Sequence, residues 1–356
     1  MSATPELGTC EIYYGKPWSW ADRRDQVSFL APHGYRFFTY APKMDTLLRK
    51  EWRTLYPDDE AQALRDFAAH CRAKGVRFGV GLSPYEIYRD FNTEVQSDLR
   101  RKLAQLDEIG VEDLCVMFDD MRGDLPELAA TQARISHWIA ERSAATRVIV
   151  CPTYYSDDPA LDRFFGARPE RYLEDFGAAL DPAIGVWWTG EEVCSREYTA
   201  GHLQRVGEQL RRKPFLGDNY PVNDGAGMSP FLHLRGFTGR PASIGPHIQA
   251  HGVNPALQPV LTRIPALTLA ESYARGEAYE YTHAFRRAAR AVLGEDLGAM
   301  LERHARAFQD NGLNILGDAI PKLRARYAAV DHPGAREVVA YLDGYWRITQ
   351  AEVEQA

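Results

Sequence analysis

Short apolar runs alternate with amphipathic stretches along most of this chain, and that alternation restricts the fold more than any other feature. Strand–helix units repeated in this way, with strands apolar on both faces, build a parallel sheet covered by helices. Strand character falls at residues 9–14, 35–40, 77–82, 113–118, 147–152, 184–188 and 214–217, with a less regular eighth within 243–252. Helical periodicity is plain at 60–74, 93–109 and 126–142, and Gly34, Gly75 and Gly110 stand where helix C-terminal caps are expected before the next strand. Eight such strands close a barrel, which takes about 250 residues. The chain has 356, and after about residue 267 the pattern turns mostly helical, at 270–275, 283–293, 297–311 and 334–354. The expected architecture is an α/β (β/α)8 barrel over residues 8–268 followed by a small C-terminal helical domain over 269–356.

Composition narrows the partners. The net charge is −7, and the basic clusters are two triplets, Arg100-Arg101-Lys102 and Arg211-Arg212-Lys213, each in a helical segment where a solvated face or the helix dipole accounts for cations. No nucleic-acid partner is expected. No stretch approaches the roughly 20 apolar residues of a membrane span, and the first nine residues lack the pattern of an export signal. The five cysteines, Cys10, Cys71, Cys115, Cys151 and Cys194, are scattered and odd in number, which suits reduced thiols of a cytoplasmic protein better than a disulfide framework.

Chemistry concentrates at the carboxyl ends of the strands, where barrels of this type place their active sites. The run Leu114-Cys-Val-Met-Phe118 ends abruptly in Asp119 and Asp120. Alone, such a doublet is equally a helix cap beside a solvated acid. Its counterparts at the other strand ends are rich in aromatic and polar residues: Tyr13-Tyr14 through Trp20, Tyr40-Ala-Pro-Lys43, Ser83-Pro84-Tyr85, Pro152 through Tyr155, Trp188-Thr-Gly190, and Asp218-Asn219 through Asp224. In a barrel these loops converge on one mouth, and aromatic faces with Asp, Asn and Lys around them form a carbohydrate site. A competing reading is a metal-dependent barrel hydrolase using Asp119, Asp120 and a histidine such as His233, His247 or His251. His247 and His251 have one-face helical spacing, but Gly245-Pro246 and Gly252 crowd that segment.

The ordered series Glu11–Trp20, Tyr40–Lys43, Phe118–Asp120, Cys151–Thr153 with Tyr155, Trp188–Gly190 with Val193, and Asp218-Asn219 with Asn223-Asp224 resembles glycoside hydrolase family 84, over about residues 8–294. That family contains β-N-acetylglucosaminidases that remove O-linked GlcNAc from proteins. The resemblance implies retaining hydrolysis assisted by the substrate's 2-acetamido group, through an oxazoline and without cofactor or metal, an exception to the usual two-carboxylate scheme. Carried over residue by residue, it implies that Asp119 orients the acetamido N–H and Asp120 is the acid/base. It further implies that Lys43 and Asp224 hold ring hydroxyls, that Tyr155 and Asn219 lie at the acetamido end, and that Tyr14, Ile12 and Val193 line the sugar pocket. Repulsion between the two acids leaves one ionised and the other protonated near neutral pH. The partner so implied is an N-acylamino sugar, free or on a protein or other aglycone.

Five departures stand out. Ile12 occupies a position that is usually glycine, Gly217 and Gly225 positions that are usually aromatic, Ala256 a position that is usually asparagine, and Tyr85 a position that is usually glycine. They leave the acids intact but predict a roomier acyl pocket and weaker sugar recognition, which opens the alternative of a glycan-binding pseudoenzyme. A larger N-acyl group, another 2-acylamino sugar, or rescue by Tyr85 or the helical tail would each reconcile them. In the tail, Tyr341, Tyr345 and Trp346 form an apolar stripe for a second copy of the chain, a homodimer, or for the chain's own barrel; the latter is favoured.

Overall fold

The computed structural model describes residues 4–355. Eight parallel strands close a barrel in sequence order: β1 (Glu6–Glu11), β2 (Tyr35–Tyr40), β3 (Arg77–Leu82), β4 (Asp113–Met117), β5 (Arg147–Cys151), β6 (Gly185–Trp188), β7 (Phe215–Asp218) and β8 (Ala250–Val253). The α/β barrel with C-terminal helices read from the sequence is therefore present. Two strands shift. β1 begins and ends three residues earlier than expected, because Glu11 is buried in a paired contact with Arg23 (2.7 and 2.8 Å) and the chain then leaves the sheet, burying Tyr13 against Glu11 and bringing Tyr14 to the mouth. β8 lies at the end of its window, since residues 242–247 wind as a 3-10 turn around Pro246.

The helices obey the same logic that predicts them. Thr93–Ile109 starts at an Asn92 cap and stops at Gly110, which has φ +90°; Val95, Leu99, Leu103, Leu106 and Ile109 form its buried stripe. The seventh strand has no long covering helix, only the short Gly225–Met228 and the 3-10 turn. Arg263–Arg275 follows β8, and helices from Tyr281 to Leu342 build a second apolar cluster around Phe285, Leu301, Phe308, Tyr327 and Tyr341, which also includes Leu232, Leu234 and Leu261 from the barrel loops and Ile264 from the helix after β8.

The basic triplets are not solvated faces throughout. Lys102 is buried, donates to the Thr54 carbonyl at 2.5 Å, and has its pKa pushed down to about 8 by burial. Arg212 ties together the carbonyls of Gly177, Leu180, Asp181 and Ile184. Both are structural cations. Among the described residues, no helix is long and apolar enough to cross a membrane and the cysteines are free thiols.

Apart from that helical cluster, two clusters make up the core of the barrel. One lies between sheet and helices; the other fills the barrel interior with Cys10, Phe37, Cys115, Ile149, Phe215 and Ala250, topped by Ala41, Met117, Cys151 and Trp187. Ile12 and Tyr155 pack on this second cluster, so it forms the floor beneath the mouth.

Candidate active site

β4 carries the two acids. Alternation along the strand sends Met117 and Asp119 inward and Phe118 outward into the helix-facing core. A regular strand would turn Asp120 outward as well, but Asp120 takes φ +55°, the left-handed region that a non-glycine residue enters at a cost. That turn breaks the pleat and brings both carboxylates to one mouth. Its base is held by buried polar contacts: Thr153 Oγ1 donates to the Phe118 carbonyl at 2.8 Å, Gln132 Nε2 donates to Thr153 at 2.8 Å, and the Tyr172 hydroxyl donates to Gln132.

Lys43 joins the acids. Its backbone N–H is pinned to the Tyr13 carbonyl at 3.1 Å, and its Nζ contacts Asp119 Oδ2 and lies 3.2 Å from Asp120 Oδ2. Burial opposes its charge, but Asp119 and Asp120 outweigh that and hold its pKa above the usual lysine value. Asp120 also accepts from the Tyr14 hydroxyl at 2.8 Å and has Arg49 Nη1 at 3.6 Å. Burial would raise the Asp120 pKa, yet Lys43, Arg49 and Tyr14 together pull it below the ordinary carboxylate value. A raised general-acid pKa from repulsion between the acids is therefore not found at Asp120 in the ligand-free site, because two cations intervene. The other oxygen of the dyad differs: Asp119 Oδ1 is buried with no hydrogen-bond partner among the described residues.

A second strip of hydrogen bonds crosses the mouth. Asn219 Nδ2 donates to the Val193 carbonyl at 2.8 Å and its Oδ1 accepts from Asn254 Nδ2 at 2.9 Å, while Asn254 Oδ1 accepts from the Ile12 N–H at 3.3 Å. Asp224 Oδ2 accepts from the Tyr14 N–H at 2.8 Å, so Tyr14 links Asp224 to Asp120. Burial pushes the Asp224 pKa up to about 6 despite that N–H. The Tyr155 hydroxyl is pushed up first by burial and then by Asp120 and Asp119, which places it in their field. All nine residues singled out from the sequence thus converge on one mouth or its floor.

Several expectations about the walls change. An amide is present after all: it is Asn254, whereas Ala256 is buried with its N–H on Thr262 Oγ1 at 3.0 Å. Gly217 leaves no empty space, for a Cβ built there would meet the Trp187 indole Nε1 at 2.0 Å. Trp187, on the neighbouring strand, stacks on Phe215 (ring centroids 4.9 Å apart) and fills the volume that an aromatic at 217 would need. Gly225 has open space but a φ of +68°. Tyr85 supports the Arg49 guanidinium, 5.6 Å from its ring centre. Arg49, a buried cation beside an acid doublet, is missed by the sequence reading, as are Asn254 and Trp187.

The histidines are engaged elsewhere. His251 lies between Asp218 Oδ2 (3.0 Å) and the Tyr273 hydroxyl (2.8 Å), and His233 contacts the Val222 carbonyl at 2.7 Å. His247 sits at the end of the 3-10 turn. Two wide clefts of about 860 Å³ each lie around residues 237–241 and 145–148; neither holds a mouth carboxylate, so size does not mark the site here.

Comparison with known proteins agrees with this geometry. The family described as beta-N-acetylglucosaminidase matches residues 7–309. The protein O-GlcNAcases of Rattus norvegicus and Mus musculus are each 27% identical, over 278 and 275 residues respectively, covering 75% of this chain but 30% of their own length; the chain thus spans under a third of these relatives. The structure of a mutant Thermobaculum terrenum O-GlcNAc hydrolase superposes with a TM-score of 0.81 at 28% identity, covering 95% of this chain and 80% of that one. With a family match over most of its length, an acid pair at the end of the fourth strand and a barrel shared with a solved hydrolase, this chain belongs to the β-N-acetylglucosaminidases of glycoside hydrolase family 84.

Proposed function

We propose that this protein is a retaining β-N-acetylglucosaminidase in which the substrate's acetamido group is the nucleophile. The observation that carries the reading is the unpartnered, buried Asp119 Oδ1 beside a second acid. A carboxylate with one oxygen held by Lys43 and the other unbonded is an acceptor fixed in place for a single N–H. Leaving it so costs on the order of 1–3 kcal/mol, which a substrate amide N–H would recover.

In the proposed cycle the acetamido oxygen attacks the anomeric carbon as the bond to the leaving oxygen breaks. Asp119 draws on the N–H, raising the nucleophilicity of the carbonyl oxygen and stabilising the cationic oxazoline ring. Asp120 gives its proton to the leaving oxygen, then removes one from the water that opens the oxazoline, which restores the amide and the β configuration. Because Lys43 and Arg49 keep Asp120 ionised in the free site, substrate hydroxyls must draw Lys43 away before Asp120 takes up a proton. Asp224, Lys43 and Asn254 are the hydroxyl-binding groups of this scheme, and Asn219 lies at the acetamido end. Tyr155 and Trp187 flank the acyl group.

The rival reading, a glycan-binding protein without hydrolysis, rests on lost sugar contacts; Asn254 and Trp187 supply an amide and an aromatic where two of those losses were inferred. Turnover of an aryl β-GlcNAc glycoside, competitive inhibition by a thiazoline mimic of the oxazoline, and loss of about 10²–10⁴ in kcat on Asp120→Asn are expected. An Asp120→Asn protein that retains full turnover would remove Asp120 as acid/base. Tight thiazoline binding with no turnover of any 2-acetamido glycoside would favour the binding protein.

A further inference from the structure

The end of the helical tail returns to the barrel mouth. After the helix Pro333–Leu342, residues 345–348 cross the loop that follows β1 before the last helix, Gln350–Gln355. The crossing is anchored: the Ile348 N–H donates to Ser229 Oγ at 3.0 Å, and Lys50 Nζ donates to the Glu354 carbonyl at 3.3 Å. Ile348 packs so closely on Gly15 (φ +117°) that a Cβ there would lie 2.6 Å from its Cδ1. Lys16 places its Nζ 3.4 Å from the centre of the Tyr345 ring.

Between this strap and the barrel lies a cavity of about 180 Å³, walled by Tyr14, Pro17, Met44, Tyr345, Trp346 and Ile348. Two of these, Met44 and Tyr345, are large apolar side chains left exposed at 39% and 54%. Tyr14 is a shared wall. Its hydroxyl donates to Asp120 Oδ2 at 2.8 Å, so the cavity is separated by one phenol ring from the carboxyl that meets the leaving oxygen. The groups assigned to the sugar and its acyl chain, Asp119, Asn219, Asn254 and Tyr155, take no part in lining it.

We propose that this cavity is the aglycone subsite and that it takes a flat aromatic group attached to the leaving oxygen or a few bonds beyond it. The proposal rests on Asp120 acting as the acid/base. Continuity through Tyr14 places the occupant on the leaving-group side. Its aromatic faces, thioether and aliphatic end suit an aromatic ring, although Lys16, Arg347 and Glu352 also line it and Lys16 already rests on the Tyr345 ring. The volume is also of the right order, since an apolar cavity of about 150 Å³ holds benzene. The rescue of substrate recognition by the tail then has a physical form: affinity not gained from the sugar ring is gained from what the sugar is attached to.

The test compares phenyl and methyl β-GlcNAc glycosides on the full chain, with the thiazoline inhibitor, which has no aglycone, as the reference ligand. Trp346→Ala and Met44→Ala should each raise KM for the phenyl glycoside about tenfold, change KM for the methyl glycoside less than twofold, and leave the thiazoline inhibition constant unaltered. Equal losses on both glycosides, or no loss on either, with thiazoline inhibition intact would overturn the subsite while leaving the hydrolase reading standing. Failure of the wild-type chain to bind the thiazoline would instead remove the hydrolase reading, and the subsite with it.

Discussion

The two ends of this barrel carry similar charges and treat them in opposite ways. At the amino ends of the strands, Glu6 and Asp113 face Arg77 and Arg147: Arg77 reaches both acids, Arg147 reaches both acids, and the pairs are made by matched guanidinium forks. Two acids and two bases leave no polar atom of that cluster among the buried, unpartnered atoms of the described residues. At the carboxyl ends, Asp119, Asp120 and Asp224 face Lys43 and Arg49, and both Asp119 Oδ1 and Arg49 Nε are buried without a partner among the described residues, while Asp120 holds a left-handed backbone. Closing an ion cluster fixes a fold. An incomplete one, held in place by the same scaffold, is available to a ligand.

The largest expected effect breaks that comparison directly. Asp113 is fully buried between its two arginines, so Asp113→Asn leaves them short of a counter-charge and should cost about 3–5 kcal/mol of stability, with kcat of the folded fraction unchanged. Asp120→Asn should differ, lowering kcat by orders of magnitude while costing less stability than Asp113→Asn, because Asp119 still faces Lys43 and asparagine suits the left-handed backbone at position 120. Urea unfolding paired with turnover per folded molecule reads both. A loss of activity in Asp113→Asn without loss of stability would mean the lower cluster is coupled to catalysis and is no mere plug.

What the sequence discloses follows from the same division. The strands are legible because their middles and carboxyl halves are buried on both faces and apolar, as in 114–117 and 149–151. β8, Ala250-His-Gly-Val253, is not, since its histidine satisfies Asp218 and Tyr273 inside the structure and breaks the apolar run. Asp119, Asp120, Lys43, Asn219 and Asp224 are legible because a polar residue just past an apolar strand has few other reasons to be there. Arg49 is not, because it arrives from a loop beyond a 3-10 turn at residues 46–48 and its partners Tyr14, Tyr85 and Asp120 are distant in sequence. Trp187 is hidden by a different cause: any aromatic in a strand reads as core, and only its contact with the empty side of Gly217 shows which aromatic it replaces.

That exchange sharpens the comparison at the floor of the mouth. Trp187→Ala should lower stability by roughly 3 kcal/mol through the cavity it leaves, and should raise kcat/KM for N-butyryl relative to N-acetyl substrates. Gly217→Trp alone should destabilise, since its Cβ would collide with the indole, and should recover much of that loss when combined with Trp187→Ala. A double-mutant cycle measures the coupling. Additive losses would show that the two positions do not share one space.

The smallest effect concerns the cost of holding an incomplete site. Burial keeps the Asp224 carboxyl at a pKa of about 6, above the value of about 3.9 that it takes in an unfolded chain. The folded state therefore binds this proton more tightly than the unfolded state, so the stability linked to it is fully present below about pH 4 and is lost as the pH rises through 6. Above that the fold carries a buried charge whose only hydrogen-bond donor from another of the described residues is the Tyr14 N–H. Asp224→Asn keeps an acceptor for that N–H and removes the charge. The variant should thus be more stable than the wild type by about 1–3 kcal/mol at pH 7.5 and indistinguishable from it at pH 4. Its activity should move the other way, with KM raised at pH 7.5 and the fall in kcat/KM below about pH 6 absent. Melting temperatures and KM at the two pH values give the answer: a stability gain of equal size at pH 4 and 7.5 would mean that packing, and not the charge awaiting a hydroxyl, sets the difference, and Asp224 would then belong with the matched acids at the far end of the barrel.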